Sequence, residues 1–100
     1  MSAANKSLPR VFLVVISHGF VYIGSLVSLS VEEKLMCLNN VVNLRNAETT
    51  KGFGELVNTV PKGNYDPVPS VGGSEFTVNL AHALFWFELD AEVWASTLKL

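Results

Sequence analysis

From Val11 to Val31 the chain carries no formal charge and is dominated by Val, Ile, Leu and Phe. A stretch of that length can cross a bilayer as a helix, so it becomes either a membrane span or a pair of buried strands. Two features select strands. Ser17, His18 and Gly19 interrupt it midway and Gly24, Ser25, Ser28 and Ser30 further on. Its apolar residues are mostly β-branched or aromatic, types that fit a pleated, half-buried surface. The expectation is therefore a hairpin, with no membrane as partner.

The first strand, Arg10 to Ile16, is apolar without alternation, the pattern of a strand covered on both faces. Ser17-His18-Gly19 supplies a turn. Phe20 to Ser30 follows, its second half alternating Leu26, Ser28 and Ser30 against Val27, Leu29 and Val31, with Gly24 as a bulge or sharp bend. Glu32-Glu33 makes a charged turn. Lys34 to Arg45 reads as a third strand, with Asn39-Asn40 as a bulge or local irregularity. Cys37, flanked by Leu35, Met36 and Leu38, is a single cysteine and reads as a core thiol.

Residues 46–73 change character, holding most of the glycines, prolines and short polar residues. Within them Phe53, Leu56, Val57 and Val60 recur at helical spacing behind Thr49 or Thr50 as a cap, which predicts a short helix or a single turn. Asn64 to Pro69 reads as a stiff surface loop. Glu75 to Leu80 alternates again, Ala81 to Leu89 continues as a strand or bent extension, and Asp90 caps a terminal helix over Ala91 to Leu98. The expected class is mainly β (α+β): a small, strongly bent antiparallel sheet or barrel of about five strands with a short central and a C-terminal helix. It forms one domain over residues 1–100, with residues 1–9 as a flexible N-terminus and 46–73 as a loop-rich insertion.

A chain of 100 residues buries roughly 60 to 65% of the surface its unfolded form exposes, and 49% of its side chains are apolar. Association is a natural way to cover the surplus, so a homo-oligomer is expected. Seven basic and nine acidic residues give a net charge of −2, too little positive field to hold duplex nucleic acid. The short polar N-terminus lacks the cleavage pattern of a secretory signal, which points to the cytoplasm. Two histidines and one cysteine are too few for a four-ligand zinc site, and no nucleophile–base pair or carboxylate pair stands out. No enzyme, metal or cofactor is expected.

The succession FVYIGSLVS, LNNVVNLRNA, TTKGFGELVNTVPKG and a Trp-bearing last helix VWAST resembles a group of short phage-encoded proteins. In those an aromatic-x-Gly-x-Leu-Val strand precedes an apolar strand and a Lys-Gly-Phe turn. The resemblance spans Arg10 to Thr97, and KGFGELV at Lys51 to Val57 is its most specific part. It implies a bent sheet or barrel assembling into rings or compact oligomers. It also implies kinship with phage anti-defence sponges, which bind cyclic nucleotide or cyclic ADP-ribose signals in an infected bacterial host.

The residues offer a matching site. Arg45, Lys51 and Lys62 fall in or beside the loop-rich centre together with Thr49, Thr50, Gly52, Gly54 and Gly63, a set of cations, hydroxyls and accessible backbone that suits a phosphate group. Phe53 or Tyr65 could stack on a base. The candidate site is thus Arg45, Thr50, Lys51, Gly52, Phe53, Lys62 and Tyr65. Each has a purely structural alternative: Arg45 as a solvated strand end, Lys62 as a turn residue, Phe53 as a core residue and Tyr65 as a lid over the sheet. Sequestration of a nucleotide signal is the leading expectation. The alternatives are a phage structural or interaction module without a small ligand, and a single-stranded nucleic-acid binder resting on FVYIG.

Overall fold

The computed structural model describes residues 8–17, 19–49, 52–68 and 75–100. Three long strands, β1 (Val11–Ile16), β2 (Val21–Ser30) and β3 (Leu35–Ala47), are followed by a 3-10 turn over Phe53–Val57. Then come β4 (Gly63–Pro67), β5 (Phe76–Asn79), a second 3-10 turn over Leu80–His82, β6 (Ala83–Leu89) and the helix α1 (Ala91–Leu98). The sheet is mainly β and antiparallel throughout, in the order β4-β3-β2-β1-β6, with β5 pairing the first part of β3. It does not close into a barrel: β6 pairs with β1 and with no other described strand.

β1 explains why the sheet has two cores. Odd-numbered Val11, Leu13 and Val15 join Ile23, Leu56, Leu89, Trp94 and Leu98 on one face. Even-numbered Phe12 and Val14 join Met36, Leu38, Val78 and Leu80 on the other. Five consecutive residues, Val11 to Val15, are therefore buried, as an apolar run without alternation requires. The first face is covered by α1 and the Phe53–Val57 turn. The sheet curls to cover the second, bringing Val78 and Leu80 against Phe12 and Val14.

The curl has identifiable origins. The β2–β3 register shifts between Ile23 and Ser25, where a Cβ on Gly24 would lie 2.9 Å from Val41 Cγ2 and 3.0 Å from the Asn39 carbonyl oxygen. A side chain there would push β3 away. On β3 the same irregularity contains Asn40, whose φ of 52° is tolerated by asparagine better than by most residues. Together they form a bulge, the device that bends a strand and raises its twist.

α1 starts on Asp90, whose carboxylate accepts from the Glu92 N–H at 3.0 Å, the expected N-cap. It is tied to the first 3-10 turn twice. The Trp94 indole Nε1–H donates to the Leu56 carbonyl at 2.7 Å, and the Asp90 N–H donates to the Val57 carbonyl at 2.7 Å.

Several expectations change in detail. A sixth strand, β4, lies where a loop was expected, because the Gly63–Pro67 backbone pairs with the end of β3. The short helix or single turn expected at the centre is a five-residue 3-10 turn, as the alternative allowed. The expected extension from Ala81 begins with a 3-10 turn before β6. Cys37 is half-buried, its Sγ 3.6 Å from Thr77 Oγ1, because it falls on the face of β3 opposite Met36 and Leu38.

Candidate ligand-binding groove

A groove of about 350 Å³ opens where the end of β3 meets the β1–β2 turn and the first 3-10 turn. That volume sits at the small end of the ~300–1,000 Å³ typical of ligand sites. Its floor is apolar, formed by Val21, Leu44 and Leu56, and its rim carries Arg45, Asn46, Thr49 and Phe53. Among the described residues the lining offers a cation, an amide and a hydroxyl, with no carboxylate, histidine or thiol.

Local irregularity places Arg45. In the β3–β4 pairing Leu44 faces Tyr65 and Asn46 faces Asn64, so Arg45 is the extra residue of a bulge, and bulges commonly re-aim a side chain. β4 approaches closely at this point because Gly63 has no Cβ; one built there would collide with the Asn46 carbonyl oxygen. The Arg45 guanidinium reaches Asp66 Oδ2 at 3.3 Å, with the two side chains 63% and 56% exposed. A long, solvated pair of this kind contributes ~0–1 kcal/mol. An incoming phosphate, which can take bidentate hydrogen bonds from a guanidinium, competes with it readily.

Phe53 is 39% exposed and meets the Phe85 ring at 5.9 Å between centroids. Its accessible ring makes a wall of the groove, while Leu56, fully buried, takes the core position of that turn. Gly52 precedes the turn with φ of 82°; its carbonyl accepts from the Glu55 N–H at 3.2 Å.

The other nominated residues are placed differently. Tyr65 belongs to the core: its ring meets Trp94 edge-on at 5.5 Å, its hydroxyl donates to the Pro61 carbonyl, and burial pushes that hydroxyl's pKa above its ordinary value. It acts as the lid over the sheet. Lys62 is exposed and its carbonyl accepts from the Glu48 N–H at 2.7 Å, so its backbone fixes the chain leaving β3 while its side chain is not part of the lining. Thr50 and Lys51 lie outside the described residues. The groove thus brings together Arg45 and Phe53 of the nominated set and adds Asn46 and Thr49. The signal for Asn46 is the break in alternation along VVNLRNA, where a polar residue follows the bulged arginine.

Elsewhere, Phe20 and Tyr22 stack at 6.2 Å and Tyr22 meets Phe76 at 4.7 Å. The adjoining hollow of about 210 Å³ is lined by Ile16, Val78 and His82 among others, with no lysine or arginine. A single-stranded nucleic acid needs aromatic rings together with a cationic track, and the described residues place only the rings here. Among the described residues no three His, Cys, Asp or Glu side chains come together to hold a metal ion. No described helix is long and apolar enough to cross a membrane. No family model, curated protein or solved structure matches this chain.

Proposed function

We propose that the protein binds a cyclic nucleotide or cyclic ADP-ribose signal in this groove and holds it without cleaving it. In this reading it acts as a homo-oligomeric phage anti-defence protein in the cytoplasm of an infected bacterial host. The observation that carries the ligand reading is the rim: Arg45 on a bulge, with Asn46 and Thr49 beside it and the accessible Phe53 ring across an apolar floor. A guanidinium, an amide and a hydroxyl are donors suited to a phosphate, and a phenyl ring suits the face of a purine. Retention fits a lining of donors better than turnover, which would require a base or nucleophile. The resemblance to phage proteins supports the class of ligand.

The test is native mass spectrometry of the full chain, alone and after incubation with cyclic dinucleotides, cyclic trinucleotides and cyclic ADP-ribose isomers. The expected result is a retained nucleotide mass that Arg45→Glu abolishes, with Phe53→Ala lowering retention about tenfold, as loss of one stacking contact implies. Retention unchanged in Arg45→Glu, or no retained mass from any of these ligands, overturns the reading.

A second reading, an interaction module with no small ligand, is favoured by the tip of the β2–β3 hairpin. Val27, Leu29, Val31 and Leu35 are all exposed there, Val31 by 77%. It predicts that the chain co-purifies with a phage or host protein through that tip and that Val31→Lys breaks the association.

A further inference from the structure

β6 is an edge strand of unusual composition. Natural edges are blunted by lysine, proline or shortness, yet from Ala83 to Phe87 β6 reads ALFWF. Leu84 is 63% exposed, Phe85 41% and Trp86 39%. The irregularity opposite Val15 and Ile16 leaves Leu84 with no partner in the β1 register. Among the described strands the outer edge of β6 is unpaired, and exposed apolar side chains flank it on both faces, Phe85 beside Phe53 and Trp86 beside Leu80; adding a strand satisfies the edge and covers them.

We propose that the added strand is β6 of a second copy of this chain, running antiparallel about a two-fold axis at Phe85, so that Leu84 of each copy faces Trp86 of the other. The assignment names the contact surface of the homo-oligomer read above, and it is independent of the nucleotide. Polarity along the strand selects a copy of itself. β6 is preceded by His82 and followed by Asp90, and near its end Glu88 is paired with Arg10 of the neighbouring chain segment. An antiparallel two-fold at Phe85 sets His82 of each copy opposite the Arg10-paired Glu88 of the other, whose exposed carboxylate can accept a further hydrogen bond, with the same contact at both ends. It also keeps the two acidic ends apart, whereas parallel pairing would set like charges side by side. An isologous contact of this kind closes at two subunits and pairs the β6 edge of both. The Arg45 groove keeps its mouth at the end of β3, on another part of the sheet.

The three exposed side chains present roughly 300 Å² of apolar surface per copy, less than the ~800 Å² per partner of a standard interface. A reversible, micromolar dimer is the expected strength. Sedimentation velocity of the full chain without nucleotide, from about 1 to about 200 μM, is predicted to show a concentration-dependent dimer. Leu84→Lys with Trp86→Lys is predicted to weaken it at least tenfold, with an unchanged circular dichroism spectrum and melting curve. A monomer at every concentration overturns both the interface and the homo-oligomer. An oligomer that the double variant leaves intact overturns the interface alone, because the copies then meet elsewhere. Neither result touches the nucleotide reading, which falls through Arg45→Glu.

Cross-linking tests the register separately. In a Cys37→Ser background, Phe85→Cys is expected to form a disulfide-linked dimer under mild oxidant, because the residue on the axis of an antiparallel pair faces its own copy within disulfide reach. Ser28→Cys, on exposed β2, is the control. Equal cross-linking at Ser28→Cys, or none at Phe85→Cys, overturns the proposed pairing.

Discussion

β1 and β6 lie side by side in the sheet and are similarly apolar, VFLVVI against ALFWFEL. Yet Leu13 is fully buried while Leu84 is 63% exposed. Composition does not separate them; position does. β1 has a neighbour on each edge and a core on each face, whereas β6 has one neighbour among the described strands and its Leu84, Phe85 and Trp86 are left exposed. An apolar run therefore marks surface that must be covered, and the topology decides whether the chain itself provides the cover.

The sharpest way to break this comparison is the same substitution in both strands. Leu13→Ala is expected to destabilise by about 2–5 kcal/mol, the range for a large-to-small change in a packed core, read as a lower midpoint in urea. Since a small domain has ~5–15 kcal/mol in all, that loss is a large fraction of the total and the midpoint falls to low denaturant. Next in size is the cover over β1. Trp94→Phe keeps an aromatic ring but leaves the Leu56 carbonyl without its indole donor, and is expected to cost about 1–3 kcal/mol. Hydrogen exchange should then quicken in the Phe53–Val57 turn before it does in β1.

A smaller effect sharpens the picture of how β6 is held. Arg10 donates to both carboxylate oxygens of Glu88, at 3.0 Å from Nε and 2.9 Å from Nη2, and lies over the Phe12 ring at 5.3 Å. The hydrogen bond from Arg10 holds the Glu88 carboxyl below its ordinary value, with burial opposing. A carboxylate depressed in the folded state stabilises above its unfolded value of 4.5 and loses that contribution as pH falls through its folded value. Glu88→Gln is therefore expected to lose at most about 1 kcal/mol at neutral pH, the range of an exposed pair. Its difference from the parent should shrink toward zero in urea melts taken below that pH. Smallest of all, Leu84→Ala is expected to change monomer stability by no more than ~0.5 kcal/mol. A loss there comparable to that of Leu13→Ala would erase the distinction between the two strands.

The parts of the fold written in side-chain periodicity were legible: the unbroken run of β1, the alternation in β5, and the Asp90 cap of α1. Late β2 is a strand as expected, but its alternation does not divide buried from exposed, since the register shifts there and Val27, Ser28 and Leu29 are all exposed. β4 was not. GNYDP carries the residues of a turn and no alternation, and it is a strand because β3 offers it a ladder and Gly63 lets the backbones approach. Its proline sits at the end of an edge strand, where a missing N–H is tolerated. For the groove, Arg45 and Phe53 were legible from charge and aromaticity, but the bulge that aims Arg45 depends on a register between segments far apart in sequence. Tyr65 was ambiguous for the same reason: whether a tyrosine lies over a core or lines a site depends on what packs beneath it, here Trp94.

The pairing of Val11 with Leu89 also orders events in time. β1 leaves the ribosome before β6, and β2 can join it soon after, but its second edge and the Trp94 cover come from Ala83–Leu89 and Ala91–Leu98, far downstream. Until then a strand with two apolar faces is half-dressed, and contacts so distant in sequence form slowly because a long loop must close first. The nascent chain thus passes through a stage in which its most aggregation-prone segment depends on the hairpin with β2, on chaperones, or on fast synthesis of the remainder.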